Sequence, residues 1–178
     1  MANGTSTSHA RLTIAEILES PDRYEAHLAE VAAWAHDRIG DPAPALGRPG
    51  TLCACVPATI HRDTITIAGN TDPAPTRRQV TGALVDEADW LVERLTAARA
   101  AERPPMAHMR VFTGLDQETS VLSEVRSELR PRLLRQGIVI GEFHRASVTA
   151  SARNRNYAAD LPPWPCFAMA AEGAPPGS

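Results

Sequence analysis

Apolar positions recur with helical spacing in four segments of the chain. The spacing predicts a short helix from about residue 13, a second helix over 21–39, a long third helix over 76–102 with acids near its middle, and a fourth helix over 117–129. Proline lacks a backbone N–H and crowds the preceding turn, so Pro131 is expected to break or kink the fourth helix. These segments predict three to four helices.

Short runs of β-branched and other apolar residues predict the strands. Residues 64–68 alternate in polarity, which predicts a half-buried strand in a hairpin with residues 56–60, and residues 106–112 predict another strand. Residues 137–145, Gly-Ile-Val-Ile-Gly-Glu-Phe-His-Arg, predict a buried strand that ends in polar side chains. Proline within residues 164–170 cannot donate a ladder hydrogen bond, so this last strand is expected at the edge of the sheet.

The mixture of helices and strands indicates an α+β (mixed α/β) fold, with a sheet of about five strands packed against the helices. The length of 178 residues is typical of one domain. We place that domain at residues 12–171. Residues 1–11 and 172–178 are small, polar or rich in proline and glycine, so both ends are expected to be disordered.

Composition narrows the classes of function. The chain is 43% hydrophobic with a formal net charge of −3, which gives no overall attraction to nucleic acid. No apolar run approaches the ~20 residues that span a bilayer, and the polar start lacks the apolar core of a secretory signal, so we expect a cytoplasmic protein. The absence of lysine excludes Schiff-base chemistry. The expected partner is a small-molecule substrate, and homodimer formation stays open.

The end of the strand at residues 137–145 carries the candidate chemistry. Because side chains alternate along a strand, Glu142 and His144 are expected on one face, and Phe143 and Arg145 on the other. Imidazole titrates near neutrality and offers a nitrogen lone pair, so His144 is a candidate metal ligand, haem-iron ligand or proton carrier. The alternative is that His144 caps the strand through a hydrogen bond to a neighbouring loop.

Cysteines and arginines suggest two further sites. Cys53, Cys55 and Cys166 with His144 have the composition of a zinc site, but structural zinc usually takes cysteines separated by two to four residues, and this pair has one intervening residue. Buried, inert cysteines are therefore expected. Arg153 and its neighbours follow His144 in the chain and suit a carboxylate or phosphate group, with ordinary surface charge as the alternative.

Two segments carry a resemblance to a known family. Residues 48–57, Arg-Pro-Gly-Thr-Leu-Cys-Ala-Cys-Val-Pro, and residues 137–144, with the arginine- and asparagine-containing stretch that follows, resemble a bacterial family of domains of unknown function. That family in turn looks distantly similar to the YqcI/YcgG family, which includes the haem-dependent N-hydroxylase of guanitoxin biosynthesis. The resemblance covers about residues 45–170 and implies a haem-binding, nitrogen-oxidising activity.

The resemblance also implies roles for individual residues. His144 would be the axial iron ligand, Arg153 and Arg145 would lie near the haem propionates, and Cys53 would be among the cofactor-binding residues. The chain departs from the relatives in two places, where Cys53-Ala54-Cys55 replaces Cys-Pro-Phe and His144-Arg145 replaces His-Pro. Either departure implies a different substrate or the loss of the cofactor.

Three hypotheses about function follow. The first is a haem-dependent oxygenase that acts on an amine or amino-acid-like metabolite in a specialised biosynthetic pathway. The second is a non-catalytic accessory protein that binds a small molecule or a partner. The third is a cofactor-free enzyme that uses Glu142 and His144 as an acid–base pair.

Overall fold

Five strands and four helices make up the described part of the chain. The computed structural model describes residues 10–39, 59, 62–101, 106–145 and 162–171. The predicted α+β class, the five-stranded sheet and the three to four helices are confirmed.

The element bounds are as follows. The strands are β1 (Leu12–Thr13), β2 (Ile65–Asn70), β3 (Ala107–Phe112), β4 (Ile138–Phe143) and β5 (Cys166–Ala171). The helices are α1 (Ile14–Glu19), α2 (Ala26–Trp34), α3 (Arg77–Ala100) and α4 (Ser120–Arg135). Short 3₁₀ turns lie at Pro21–Arg23 and Thr113–Leu115, and a π-helical turn at Ala35–Ile39 extends α2.

Local sequence explains where two of the helices begin. Thr13 caps α1 and Thr76 caps α3, each in a capping box in which the third helical residue, Glu16 or Gln79, bonds back to the cap. Of the two alternatives predicted for Pro131, a break in the last helix is wrong, because α4 continues through it to Arg135, whereas a kink stays a prediction. Proline has no N–H to donate to the carbonyl of residue 127, four positions earlier. Residues 127 and 131 are exposed, so water can donate to this carbonyl instead.

The strand order is β1-β2-β3-β5-β4. Strand β2 pairs parallel with β3, and β5 lies antiparallel between β3 and β4, so β2, β3 and β4 all point the same way. Their last residues, Asn70, Phe112 and Phe143, therefore lie together where these three strands end, and we call this end of the sheet the carboxyl edge. The predicted edge position of the last strand is wrong. Pro165 precedes the first paired residue of β5, so its missing N–H costs no ladder bond.

Helices cover both faces of the sheet. Val139 and Phe143 of β4 belong to the core beneath α1 and α2, whereas Ile138 and Ile140 belong to the core beneath α3 and α4, as the alternation predicted. Strand β2 is buried on both faces, so the half-buried prediction is wrong. The predicted hairpin over 56–60 is also wrong at residue 59, which is helical, and the rest of that segment lies outside the described residues.

The helices of the described ranges are all unsuited to crossing a membrane. The longest is α3, with 24 residues. None of them combines the length and the apolar character that a membrane span requires.

Candidate functional site

The end of β4 is held from both faces of the sheet. On one face, the ring of Phe143 makes an edge-to-face contact with Trp34 of α2, with centroids 5.6 Å apart. On the other face, Glu142 accepts a 2.8 Å hydrogen bond from Ser123 Oγ of α4 and lies 3.7 Å from Arg126 Nε. The next residue, His144, is therefore presented from a fixed backbone position at the carboxyl edge.

His144 is buried, with 5% of its surface exposed. Neither ring nitrogen has a hydrogen-bond partner among the described residues. Burial lowers the pKa of the imidazole, and the negative charge of Glu142 only partly opposes this effect. At neutral pH the ring is therefore uncharged and keeps a nitrogen lone pair. The described residues hold no capping hydrogen bond of the kind that the structural alternative requires.

No hydrogen bond joins Glu142 to His144, since both imidazole nitrogens lack a partner among the residues described. The carboxylate of Glu142 is engaged with Ser123 and Arg126 instead. The Glu142 carboxylate is thus held against α4, and it does not occupy either nitrogen of the His144 imidazole.

The other predicted site residues are dispersed or outside the described ranges. Arg145 is exposed. Cys53 and Arg153 lie outside the described residues, as does Cys55. Cys166 is fully buried in β5, where burial raises the pKa of its thiol, as expected of an inert packing residue. Within the described ranges, no group of three potential metal ligands is found.

A second polar group, which we call the Glu87 cluster, consists of Arg11, Thr66, Glu87, His108 and Arg110. Glu87 of α3 accepts hydrogen bonds of 2.7 Å from Arg110 Nη1 and 2.6 Å from Arg11 Nε. His108 Nε2 lies 3.3 Å from the Glu87 carboxylate, and its Nδ1 shares a 2.9 Å hydrogen bond with Thr66 Oγ1. The cluster therefore links α3 to the central strands β2 and β3.

The electrostatics of the Glu87 cluster favour one ionised acid between two guanidiniums. Burial alone would raise the pKa of Glu87, but its contacts with His108 and Arg11 and the charge of Arg11 lower it to about 2. Burial lowers the pKa of His108, which is completely inaccessible to solvent, so this imidazole is neutral at pH 7.

The sequence carries a signal for this cluster that its interpretation missed. Glu87 falls on the apolar stripe of α3, three residues after Leu84 and four before Leu91, so the helix buries an acid. In β3, His108 and Arg110 alternate with apolar residues, which directs both side chains to the face that α3 covers. An acid on a buried helix stripe and bases on one strand face together predict a buried ion pair.

Comparison with known proteins identifies the family. Residues 28–171 match the family described as "Domain of unknown function (DUF6875)". Because this match spans most of the 178 residues, the chain belongs to that family. No curated protein and no solved structure matches the chain.

Proposed function

We propose that this domain is a haem-dependent oxygenase for an amine or amino-acid-like small molecule, with the His144 imidazole as the axial iron ligand. We further propose that the family is distantly related to the YqcI/YcgG family. The observation that carries the proposal is the state of His144, which is buried and neutral, with neither ring nitrogen bonded within the described residues.

A buried polar group without a partner is costly, by roughly 1–3 kcal/mol, and such groups are rare in folded proteins. A neutral imidazole is also the form that binds iron, because protonation would occupy the lone pair. His144 therefore fits an iron ligand on chemistry and on burial. Haem, when bound, would supply the oxygen activation itself.

The chain's own residues would orient the ligand. Ser123 and Glu142 fix β4 against α4, and Trp34 and Phe143 fix it against α2, so the backbone that carries the imidazole would be held before any ligand arrives. Arg145 is exposed beside His144, and with Arg153 it would bind the propionates or an anionic substrate group.

A second candidate function is cofactor-free acid–base catalysis. It is supported by the Glu142 carboxylate, which lies two residues before His144 in the chain and whose charge raises the pKa of that imidazole against the effect of burial. In that case the pair would transfer protons to and from a substrate at the carboxyl edge. Titration with haem separates the two candidates, because the acid–base enzyme requires none.

The test is an absorption titration of the purified protein with haem. A saturable Soret band at one haem per chain, which shifts on reduction with dithionite, is expected for the wild type. His144→Ala should fold, as judged by circular dichroism, and should lose the saturable band.

His27→Ala is the matched control. His27 is also buried, its pKa is also lowered by burial, and its Nε2 also lacks a hydrogen-bond partner in the described part of the chain. Its truncation should leave haem binding intact. A folded His144→Ala protein with full haem content would contradict the ligand assignment, and a wild type that never saturates would contradict the haem proposal as a whole.

A further inference from the structure

The charges of the Glu87 cluster do not balance. Glu87 is its only carboxylate, whereas Arg11 and Arg110 are two guanidiniums. His108 is neutral because it is buried, so one positive charge remains in excess. An uncompensated charge in a region of low polarity is unfavourable and is usually offset by an anion.

The cluster also has unused hydrogen-bond donors. Arg110 is only 6% exposed, and its Nε is buried without an acceptor. Among the described residues, Glu87 is the only carboxylate within ion-pair distance of either guanidinium. Since a guanidinium has five N–H donors in a planar fork, both arginines retain donors that suit an added oxyanion.

The cluster reaches solvent through Arg11. The Arg11 side chain is 27% exposed and follows the surface beside β1, with its guanidinium carbon 4.5 Å from the ring centre of Trp90. The exposed Arg94 lies 5.9 Å from the same ring. An anion can therefore approach from this side.

We propose that the Glu87 cluster is a binding site for the carboxylate or phosphate group of a small anionic metabolite, with Arg11 and Arg110 as the donors. Glu87 holds the two guanidiniums in place, and the ligand anion completes the charge balance. The site involves α3, β2 and β3 rather than the end of β4, so it does not depend on haem binding at His144.

The test uses sodium phosphate and sodium acetate as probes. Each is titrated into the full chain at constant ionic strength, with sodium chloride as the balancing salt, and binding is followed by tryptophan fluorescence and by Tm. A saturable response to at least one probe is expected. Saturation with phosphate alone indicates a phosphorylated ligand, whereas saturation with acetate indicates a carboxylate. A response that rises without saturation is the general salt effect and overturns the proposal.

Matched variants locate the site. Arg11→Gln removes one guanidinium and leaves the Glu87–Arg110 pair, so binding should weaken about tenfold or more. Arg11→Lys keeps the positive charge but lacks the planar set of guanidinium N–H donors, so it should bind the probe anion with intermediate affinity. Arg77→Gln removes a guanidinium that pairs with Glu124 and Glu128 elsewhere on the surface, and it should leave binding unchanged. Equal losses in Arg11→Gln and Arg77→Gln would overturn the proposal.

Discussion

Glu142 Oε1 accepts a 2.8 Å hydrogen bond from Ser123 Oγ, and this contact joins the end of β4 to α4. The opposite face of the same strand end is held by Phe143 against Trp34. His144 thus follows a strand end that is contacted on both faces of the sheet, and a ligand-binding imidazole requires such a fixed backbone.

The first prediction concerns the charge of Glu142. Because this charge raises the pKa of His144 against the effect of burial, Glu142→Gln should lower that pKa further in the haem-free protein. The measurement is a pH titration of the imidazole resonances by NMR. An unaltered His144 titration would show that the carboxylate does not influence the ring.

The second prediction concerns stability in mild acid. Burial lowers the pKa of His108 in the folded state, whereas the unfolded chain binds a proton near pH 6.5. The contribution of His108 to the free energy of unfolding is therefore complete above the pKa of this residue in the unfolded chain. As the pH falls below that pKa, the free energy of unfolding decreases by up to about 1.4 kcal/mol per pH unit for one imidazole. Urea unfolding between pH 7 and pH 5 should show this slope.

His108→Gln should remove the contribution of one proton from that slope, while the contributions of His27 and His144 remain. Glu87 stays ionised over this range, because its pKa is about 2. Equal slopes for the wild type and His108→Gln would contradict the buried neutral state of His108.

The third prediction concerns the buried ion pair of the Glu87 cluster. Glu87→Gln leaves two guanidiniums without their shared acid, so the free energy of unfolding should fall by about 3–5 kcal/mol. Glu128→Gln is the matched control, since its ion pair with Arg77 is exposed to solvent, and it should lower the free energy of unfolding far less. Similar small losses in both variants, measured by urea unfolding, would contradict a structural role for the cluster.

The fourth prediction concerns two glycines. A Cβ at residue 69 would lie 2.6 Å from His27 Nε2 and 3.3 Å from Leu28 Cδ2, so Gly69→Ala should destabilise the protein by about 1–3 kcal/mol. At residue 82, within α3, a Cβ would meet nothing within 4 Å, so Gly82→Ala should stabilise it by about 0.5–1 kcal/mol. Thermal unfolding of both variants checks the opposite signs.

Sequence patterns predicted the elements better than their arrangement. The apolar periodicity correctly predicted α3, β4 and the sheet faces on which Ile138 and Phe143 lie. It could do so because the local geometry of a helix or a strand decides which of its side chains share a face. The position of β5 between β3 and β4 depends on contacts between distant segments, which no local pattern encodes. Proline at residue 165 suggested an edge strand, but it lies one residue before the paired segment, where its effect vanishes.

The candidate site was predicted in part. The shared face of Glu142 and His144 stays a prediction, because β4 ends at Phe143. The engagement of Glu142 by Ser123 and Arg126 depends on how α4 packs on the sheet. The Glu87 cluster was missed because its members come from four separate segments. The buried acid in the α3 stripe and the alternation of His108 and Arg110 in β3 were its signals in the sequence.

The most direct test of the haem proposal is chemical rescue of His144→Gly. This variant leaves a space where the imidazole was, so free imidazole can enter it and act as the ligand. We predict that His144→Gly has no saturable Soret band with haem alone, and that added imidazole restores the wild-type band. Haem binding by His144→Gly without imidazole, at the wild-type level and with the wild-type spectrum, would contradict it.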